Sequence, residues 1–156
     1  MIYIGVDPGV SGGFGEICAD DAEGHKMPET ERDIWNWVKY RRNPCFAVIE
    51  KVHAMVGRNE DGTRRVQGVS STWKFSGNYH GCRMALIPAG IPFEEVLPKK
   101  WQAVFGLLSR QGESHTDKKN RHKAMAQQLF PALKVTHAIA DALLIAEYCR
   151  RTRQGF

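Results

Sequence analysis

The opening of the chain, MIYIGVDPG, constrains the fold more than any other stretch. Its run IYIGV is short, mostly apolar and stopped by a turn signal, which is the pattern of a buried strand. Asp7 ends the run, and Pro8 and Gly9 then turn the chain. The sequence therefore predicts a carboxylate fixed at the end of a rigid strand. Taken alone, Asp7 fits an ordinary turn residue equally well, so other carboxylates decide its meaning.

A second carboxylate ends a second predicted strand. Thr30 is placed to cap a helix over residues 31–42, and the apolar run CFAVI then leads to Glu50. A strand–helix–strand order predicts two parallel strands joined by a crossover. Parallel strands carry their carboxyl ends on the same edge of a sheet. We therefore expect Asp7 and Glu50 to converge at that edge.

The remaining pattern predicts an α/β fold with a mixed central sheet flanked by helices. A small-residue turn at 11–13 joins the first strand to a second, antiparallel one. Two glycines four apart, Gly77 and Gly81, weaken one predicted helix and leave room for another backbone, in the sheet or in a partner subunit. The further predicted elements are strands at 14–18, 25–27 and 93–97, and helices at 70–89, 98–106, 117–129 (capped by Thr116) and from Thr136 onward.

The last helix supplies a third carboxylate. Asp141 lies within the apolar run AIADALLIA, where an ionised side chain is costly unless it is paired or binds a metal. His137 precedes it by four residues and so lies on the same helix face, where a capping role is the alternative to metal binding. With Asp7 and Glu50, these residues form an oxygen-rich set that favours Mg²⁺ or Mn²⁺. Two such ions are the usual device for hydrolysing phosphodiester bonds.

The charge pattern permits a nucleic-acid partner. Lys and Arg outnumber Asp and Glu by 22 to 17, giving a net charge of +5. A polar loop over residues 51–69 carries three arginines, and long loops in compact domains are often functional. Lys99 and Lys100 oppose the dipole at a helix start, which suggests contact with phosphate. The run from Lys118 to Lys123 is also basic, although solvated helix faces commonly look the same.

Other features bear on the compartment and on cofactors. The four cysteines show neither CxxC nor zinc spacing, which predicts reduced thiols. We find no basic leader followed by an apolar stretch, and no run of 18 apolar residues. There is also no Walker A loop and no GxGxxG after a strand. We therefore expect a soluble protein of a reducing cytoplasm, with no membrane partner and no organic cofactor.

Several segments, taken in order, resemble the RuvC-type Holliday-junction resolvases, particularly the small versions of bacteriophages and prophages. They are IGVDPGVSGG, VIEKVHAM, QGVSSTWKFSG, VLPKKWQ, DKKNRHKAMAQQLFP and HAIADALLIAEY. The resemblance implies an RNase H-like nuclease domain over residues 1–156, acting as a homodimer in a bacterial cytoplasm. It implies paired, symmetric nicks across a four-way DNA junction. The family's acidic residues fall on Asp7, Glu50 and Asp141.

The chain departs from the family in two places. The fourth ligand usually lies three residues before the last Asp, which is Ala138 here, so the resemblance assigns the role to His137 at the wider spacing. The loop after Glu50 is longer than in phage relatives, and His53, Met55 or Val56 is expected to wedge into the junction. The residues expected to bind DNA are Lys51, Arg58, Arg64, Arg65, Lys74, Lys99, Lys100, Lys118 and Lys119. Alternatives are a nuclease for RNA–DNA hybrids or other branched DNA, and an inactive junction-binding protein.

Overall fold

The computed structural model describes residues 1–41, 44–51, 57–58, 64–65 and 69–155, with the backbone alone for 57–58, 64–65 and 69–71. A five-stranded mixed sheet forms its centre, in the order β3-β2-β1-β4-β7. A separate two-stranded ribbon, β5-β6, lies within the loop after Glu50. The strands are β1 (Ile2–Asp7), β2 (Gly13–Cys18), β3 (Asp21–Lys26), β4 (Cys45–Glu50), β5 (Gly57–Arg58), β6 (Arg64–Arg65) and β7 (Phe93–Val96).

The predicted pairing of the two acidic strands is confirmed. The central strand β1 pairs antiparallel with β2 and parallel with β4, with Val6 opposite Ile49. The crossover between β1 and β4 contains α1, whose cap Thr30 accepts a hydrogen bond from the Asp33 amide. The helices are α1 (Glu31–Lys39), α2 (Val69–Leu86), α3 (Pro98–Val104), α4 (His115–Leu129) and α5 (His137–Gln154).

Two apolar layers cover the two faces of the sheet. Alternate side chains of β1 and β4, such as Ile4 and Ile49, pack towards α1 and α2. The side chains between them, such as Tyr3 and Val48, pack towards α3, α4 and α5. This period of two follows from the pleat of a strand. The α/β fold with a mixed sheet flanked by helices is therefore as the sequence predicted.

Helix α5 lies unusually close to the sheet because the strands beneath it carry glycines. Gly5 of β1 and Gly15 of β2 are opposite each other in the ladder. A Cβ atom at Gly5 would overlap the backbone of Ala142 and Ala146, and one at Gly15 would overlap the backbone of Ala142. The backbone of α5 therefore rests directly on the backbone of the two strands.

Several predicted boundaries were wrong. Helix α4 begins two residues earlier than predicted, because Ser114 rather than Thr116 accepts the hydrogen bond of the Asp117 amide. Helix α1 ends at Lys39, since Tyr40 already takes the C-cap position. A close backbone approach at Gly77 is not seen: a Cβ atom there would meet nothing within 4 Å among the described residues.

Two further findings concern thiols and hydropathy. Cys45, Cys82 and Cys149 are buried free thiols, and Cys18 is an exposed one. Along the described segments, no helix combines the length and the apolar character needed to span a membrane.

Candidate active site

The alternation along β1 and β4 directs two carboxylates towards α5. Asp7 shares the strand face of Tyr3 and Gly5, and Glu50 shares the face of Val48, which packs against α5. Because Val6 lies opposite Ile49 in the parallel register, Asp7 and Glu50 come next to each other at the strand ends. Neighbouring strands lie about 4.8 Å apart. The two carboxylates therefore meet at the carboxyl edge of the sheet.

The third carboxylate comes from α5. Most of this helix is buried, and Asp141 is the one residue between Ile139 and Cys149 that retains partial exposure, with 31% of its side chain accessible. The close packing of α5 against Gly5 and Gly15 holds Asp141 near the ends of β1 and β2 that meet at this edge. The sequence-predicted acidic residues of β1, β4 and α5 are thus brought to one place.

Burial and mutual repulsion perturb the carboxylates of the two strands. Desolvation, then the charge of Asp141, raises the pKa of Asp7 to about 6. Desolvation, then the charges of Asp7 and Asp141, raises the pKa of Glu50 to about 8. Burial is the larger cause of both shifts, and repulsion among the negative charges adds to it. Perturbed carboxylates at a sheet edge are typical of functional sites.

Each of the three carboxylates accepts one N–H hydrogen bond. The Gly9 amide donates to Oδ1 of Asp7 at 3.2 Å, and Nε1 of Trp101 donates to Oε2 of Glu50 at 2.7 Å. Nδ1 of His122 lies 2.7 Å from Oδ1 of Asp141. Within the part of the chain that the structure describes, the second oxygen of each carboxylate accepts no hydrogen bond. One oxygen of each group is therefore anchored and the other is left for a ligand.

Two lysines of α4 provide the nearest positive charges. Lys119 lowers the pKa of Asp7 and Lys118 lowers that of Glu50, both as minor contributions beside burial. The Lys118 ammonium also donates to the Ser109 hydroxyl at 2.8 Å and to the Gln102 amide oxygen at 3.3 Å. These lysines therefore place positive charge near the carboxylates.

The donor set suits a hard divalent cation in its chemistry, because carboxylate oxygens are the ligands that Mg²⁺ prefers. The raised pKa values also show an excess of negative charge that such a cation would neutralise. As arranged, however, no three His, Cys, Asp or Glu side chains among the described residues converge closely enough to form a metal centre. The residues present therefore fit the ion by their chemistry and charge, and not by their spacing in this arrangement.

His137 occupies the first position of α5, one turn before Asp141, and is exposed. It makes no hydrogen bond to Asp7, Glu50 or Asp141 in this arrangement, so its assignment as a ligand stays a prediction. Ala138, three residues before Asp141, has a carbonyl oxygen 3.1 Å from where a Cβ atom of Gly13 would lie.

The proposed DNA contacts fall into three groups. Lys74, Lys99 and Lys100 are exposed on α2 and α3, and Lys51 is exposed with Glu95 4.0 Å away. Lys118 and Lys119 are half-buried near the carboxylates. For Arg58, Arg64 and Arg65 of the ribbon, the structure gives the backbone only. Arg58 pairs with Arg64 across β5 and β6, and Arg65 follows Arg64 in β6. The wedge candidates His53, Met55 and Val56 lie outside the described residues.

The basic run of α4 is not a uniform surface, which corrects the sequence interpretation. Arg121 is partly exposed but already engaged, bonded to both carboxylate oxygens of Glu113 and to the carbonyl oxygens of Gly106 and Leu108. His122 is buried against Asp141. Neither residue presents a free charge for DNA.

Sequence reasoning missed the two ring donors, Trp101 and His122. Both are almost fully buried, and their rings pack edge to face with centroids 5.5 Å apart. A signal for His122 was available, since it lies four residues before Ala126 on the buried stripe of α4. No local pattern connects Trp101 with Glu50, because the contact spans the crossover from β4 to α3.

A five-stranded mixed sheet in this order, with carboxylates from the central strand, its parallel neighbour and the last helix, defines an RNase H-like fold with an acidic site. Among solved structures, the chain is similar to Thermus thermophilus RuvC in complex with a Holliday junction substrate. The two share 18% identity and a TM-score of 0.63, over 99% of this chain and 96% of that one. The chain thus has the fold of RuvC.

A second Thermus thermophilus RuvC structure gives 16% identity and a TM-score of 0.57, over 94% of this chain and 91% of that one. No protein-family model matches the sequence. No curated protein matches it either. The likeness is therefore carried by the fold rather than by the sequence as a whole.

Proposed function

We propose that this protein is an endonuclease that resolves four-way DNA junctions by paired, symmetric cuts in phosphodiester bonds. The observation that carries the proposal is the placement of Asp7, Glu50 and Asp141 at the carboxyl edge of the sheet, near enough for their charges to interact. The similarity to a RuvC bound to a Holliday junction supports DNA of that shape as the substrate. We further propose that residues 1–156 act as one nuclease domain, as a homodimer in the cytoplasm.

Asp7, Glu50 and Asp141, with His137 as the fourth candidate, would hold Mg²⁺, and Mn²⁺ would substitute for it. Two such ions, when bound, supply an activated water and charge stabilisation at the leaving oxygen. Asp7 would be a central ligand, since it ends the middle strand β1 and its charge interacts with those of Glu50 and Asp141. The N–H bonds from Gly9, Trp101 and His122 would keep one oxygen of each carboxylate turned away from substrate.

The basic residues would hold the DNA backbone. Lys118 and Lys119, whose charges act on Glu50 and Asp7, would contact the phosphate beside the scissile bond. Lys51, Lys74, Lys99 and Lys100 are exposed and would contact phosphates further along the arms. Such contacts position DNA without reading its sequence. The arginines of the ribbon, Arg58, Arg64 and Arg65, would extend the same surface.

The test is cleavage by the purified protein at moderate salt. Labelled four-way junction, linear duplex and RNA–DNA hybrid are each incubated with Mg²⁺, with Mn²⁺ and with chelator. We expect metal-dependent, symmetric paired nicks in the junction alone. Cleavage of the hybrid or of other branched DNA would replace the substrate while retaining the site. Tight junction binding without cleavage in any metal would contradict the proposal and favour an inactive binding protein.

A further inference from the structure

Two buried aromatic rings lie behind the acidic site, and each is hydrogen-bonded to one of its carboxylates. Trp101 of α3 is fully buried, and His122 of α4 is 3% exposed. Each directs a ring nitrogen at one carboxylate, Trp101 at Glu50 and His122 at Asp141, both at 2.7 Å. Buried polar rings usually need such partners, and here each partner is an acidic residue of the site.

In both hydrogen bonds the ring nitrogen donates and the carboxylate oxygen accepts. An indole nitrogen can only donate, so the Trp101 bond fixes Oε2 of Glu50 as an acceptor. A carboxylate oxygen likewise requires a donor, which places the His122 proton on Nδ1. Nε2 of the same ring has no partner among the described residues, so the ring is committed to Asp141 alone.

The rings also fix each other. Their centroids are 5.5 Å apart at an interplanar angle of 77°, an edge-to-face arrangement favoured by the ring quadrupoles. Rotating either ring would break both this contact and the hydrogen bond to its carboxylate. The pair therefore couples the orientation of Glu50 on β4 to that of Asp141 on α5.

We propose that Trp101 and His122 are a pair of positioning residues that hold Glu50 and Asp141 in the orientation needed to bind divalent cations. The inference rests on the proposed function, because it assigns these carboxylates to a metal. Residues that orient metal ligands from behind typically contribute about 10- to 100-fold to metal affinity or activity. We expect losses of this size when either N–H is removed.

The experiment measures Mn²⁺ binding to the DNA-free full chain by titration calorimetry, beside single-turnover junction cleavage at varied Mg²⁺. Trp101→Phe keeps a ring and removes the N–H donor. His122→Leu removes the donor, whereas His122→Asn keeps an N–H near the position of Nδ1. Leu107→Ala is the matched control, because Leu107 is buried in the same apolar cluster. Thermal unfolding is followed for every variant.

We expect Trp101→Phe and His122→Leu to weaken Mn²⁺ binding about 10- to 100-fold. His122→Asn should recover most of the loss. Leu107→Ala should lower the unfolding temperature with its Mn²⁺ affinity unchanged. Wild-type Mn²⁺ affinity in Trp101→Phe and His122→Leu would overturn the proposal, as would an equal loss in Leu107→Ala or no recovery in His122→Asn. If Trp101→Phe fails to fold, the two His122 variants decide.

The failure of this inference is distinguishable from that of the proposed function. A wild-type protein that binds Mn²⁺ but cuts no junction contradicts the nuclease, while the variant affinities still decide the positioning role. A wild-type protein that cuts junctions, with variants that bind Mn²⁺ equally well, contradicts the positioning role alone.

Discussion

Nδ1 of His122 on α4 lies 2.7 Å from Oδ1 of Asp141 on α5. This relationship places one member of a basic run behind the acidic site rather than on the surface. On the same helix, the charges of Lys118 and Lys119 act on the carboxylates of the site. Arg121 is hydrogen-bonded to Glu113. One short segment thus carries charges with three different environments. Substitutions in it have to be made singly to be interpretable.

Asp7→Asn should abolish cleavage and spare junction binding. The variant removes a charge that interacts with both other carboxylates. We expect its cleavage rate to fall more than about 100-fold, because about 100-fold is the upper limit of the loss usually seen when a residue that only orients a metal ligand is removed. Its unfolding temperature in chelator should rise, because burying like charges together destabilises the fold. Single-turnover cleavage, gel-shift binding and thermal unfolding measure the three effects. Wild-type cleavage by Asp7→Asn would exclude Asp7 from the active site.

Gly5→Ala should disturb the fold and the site together. The added methyl group would overlap the backbone of Ala142 and Ala146, forcing α5 and Asp141 away from β1. We expect a loss of about 1–3 kcal/mol or more in the free energy of unfolding. Denaturant unfolding and Mn²⁺ binding are the measurements. Gly77→Ala is the control: space is open there, so alanine should stabilise α2 by about 0.5–1 kcal/mol. Equal free energies of unfolding for the two variants would contradict the close packing of α5 against Gly5.

Lys99→Ala combined with Lys100→Ala should weaken junction binding and its salt dependence. Both side chains are exposed in the first turn of α3. If each contacts a phosphate, the slope of log affinity against log salt should become shallower by about 2. Fluorescence anisotropy with chelator at several salt concentrations measures it. Lys39→Ala serves as control, since Lys39 lies beside Pro44, near the opposite end of β4. The same change of slope in both variants would contradict a localised DNA surface.

The Glu113–Arg121 pair should add an acid-dependent contribution to stability. Hydrogen bonds from Arg121 lower the pKa of Glu113 to about 2, below its ordinary value of 4.5. A carboxyl group with a lowered pKa stabilises the fold above its ordinary pKa and loses that effect as pH falls towards 2. Glu113→Gln should therefore unfold more easily than wild type at pH 5–7 and equally easily near pH 2. Thermal unfolding across that range measures it; a constant difference would contradict the ion pair.

Much of the fold and the edge bearing the site could be predicted because the signals are local. The alternation of β1 and β4 determines which face each side chain takes, so Asp7 and Glu50 could be assigned to one edge. The start of α4 was misplaced because Ser114 and Thr116 are both good caps. The spacing from Ser114 to Asp117 is that of a capping box, and it prevailed.

What could not be predicted depends on contacts distant in sequence. The fit of α5 on Gly5 and Gly15 needs the register of three elements at once. The bond from Trp101 to Glu50 likewise exists only after β4, β7 and α3 are in place. The glycines of α2 were expected to allow a close approach in the sheet or in a partner subunit; within the described chain the close approach is at Gly5 and Gly15 of the strands, and packing of α2 against a partner stays a prediction.

The packing of α5 against β1 has a consequence for the synthesis and folding of the chain. Asp7 precedes Asp141 by 134 positions in the chain, so a growing chain on the ribosome carries an incomplete acidic set until α5 emerges. Contacts between such distant segments also slow the search for the native topology. Repulsion among all three carboxylates therefore arises only once α5 has packed onto β1. A truncated chain without α5 would hold β1 and β4 yet lack the third acidic group.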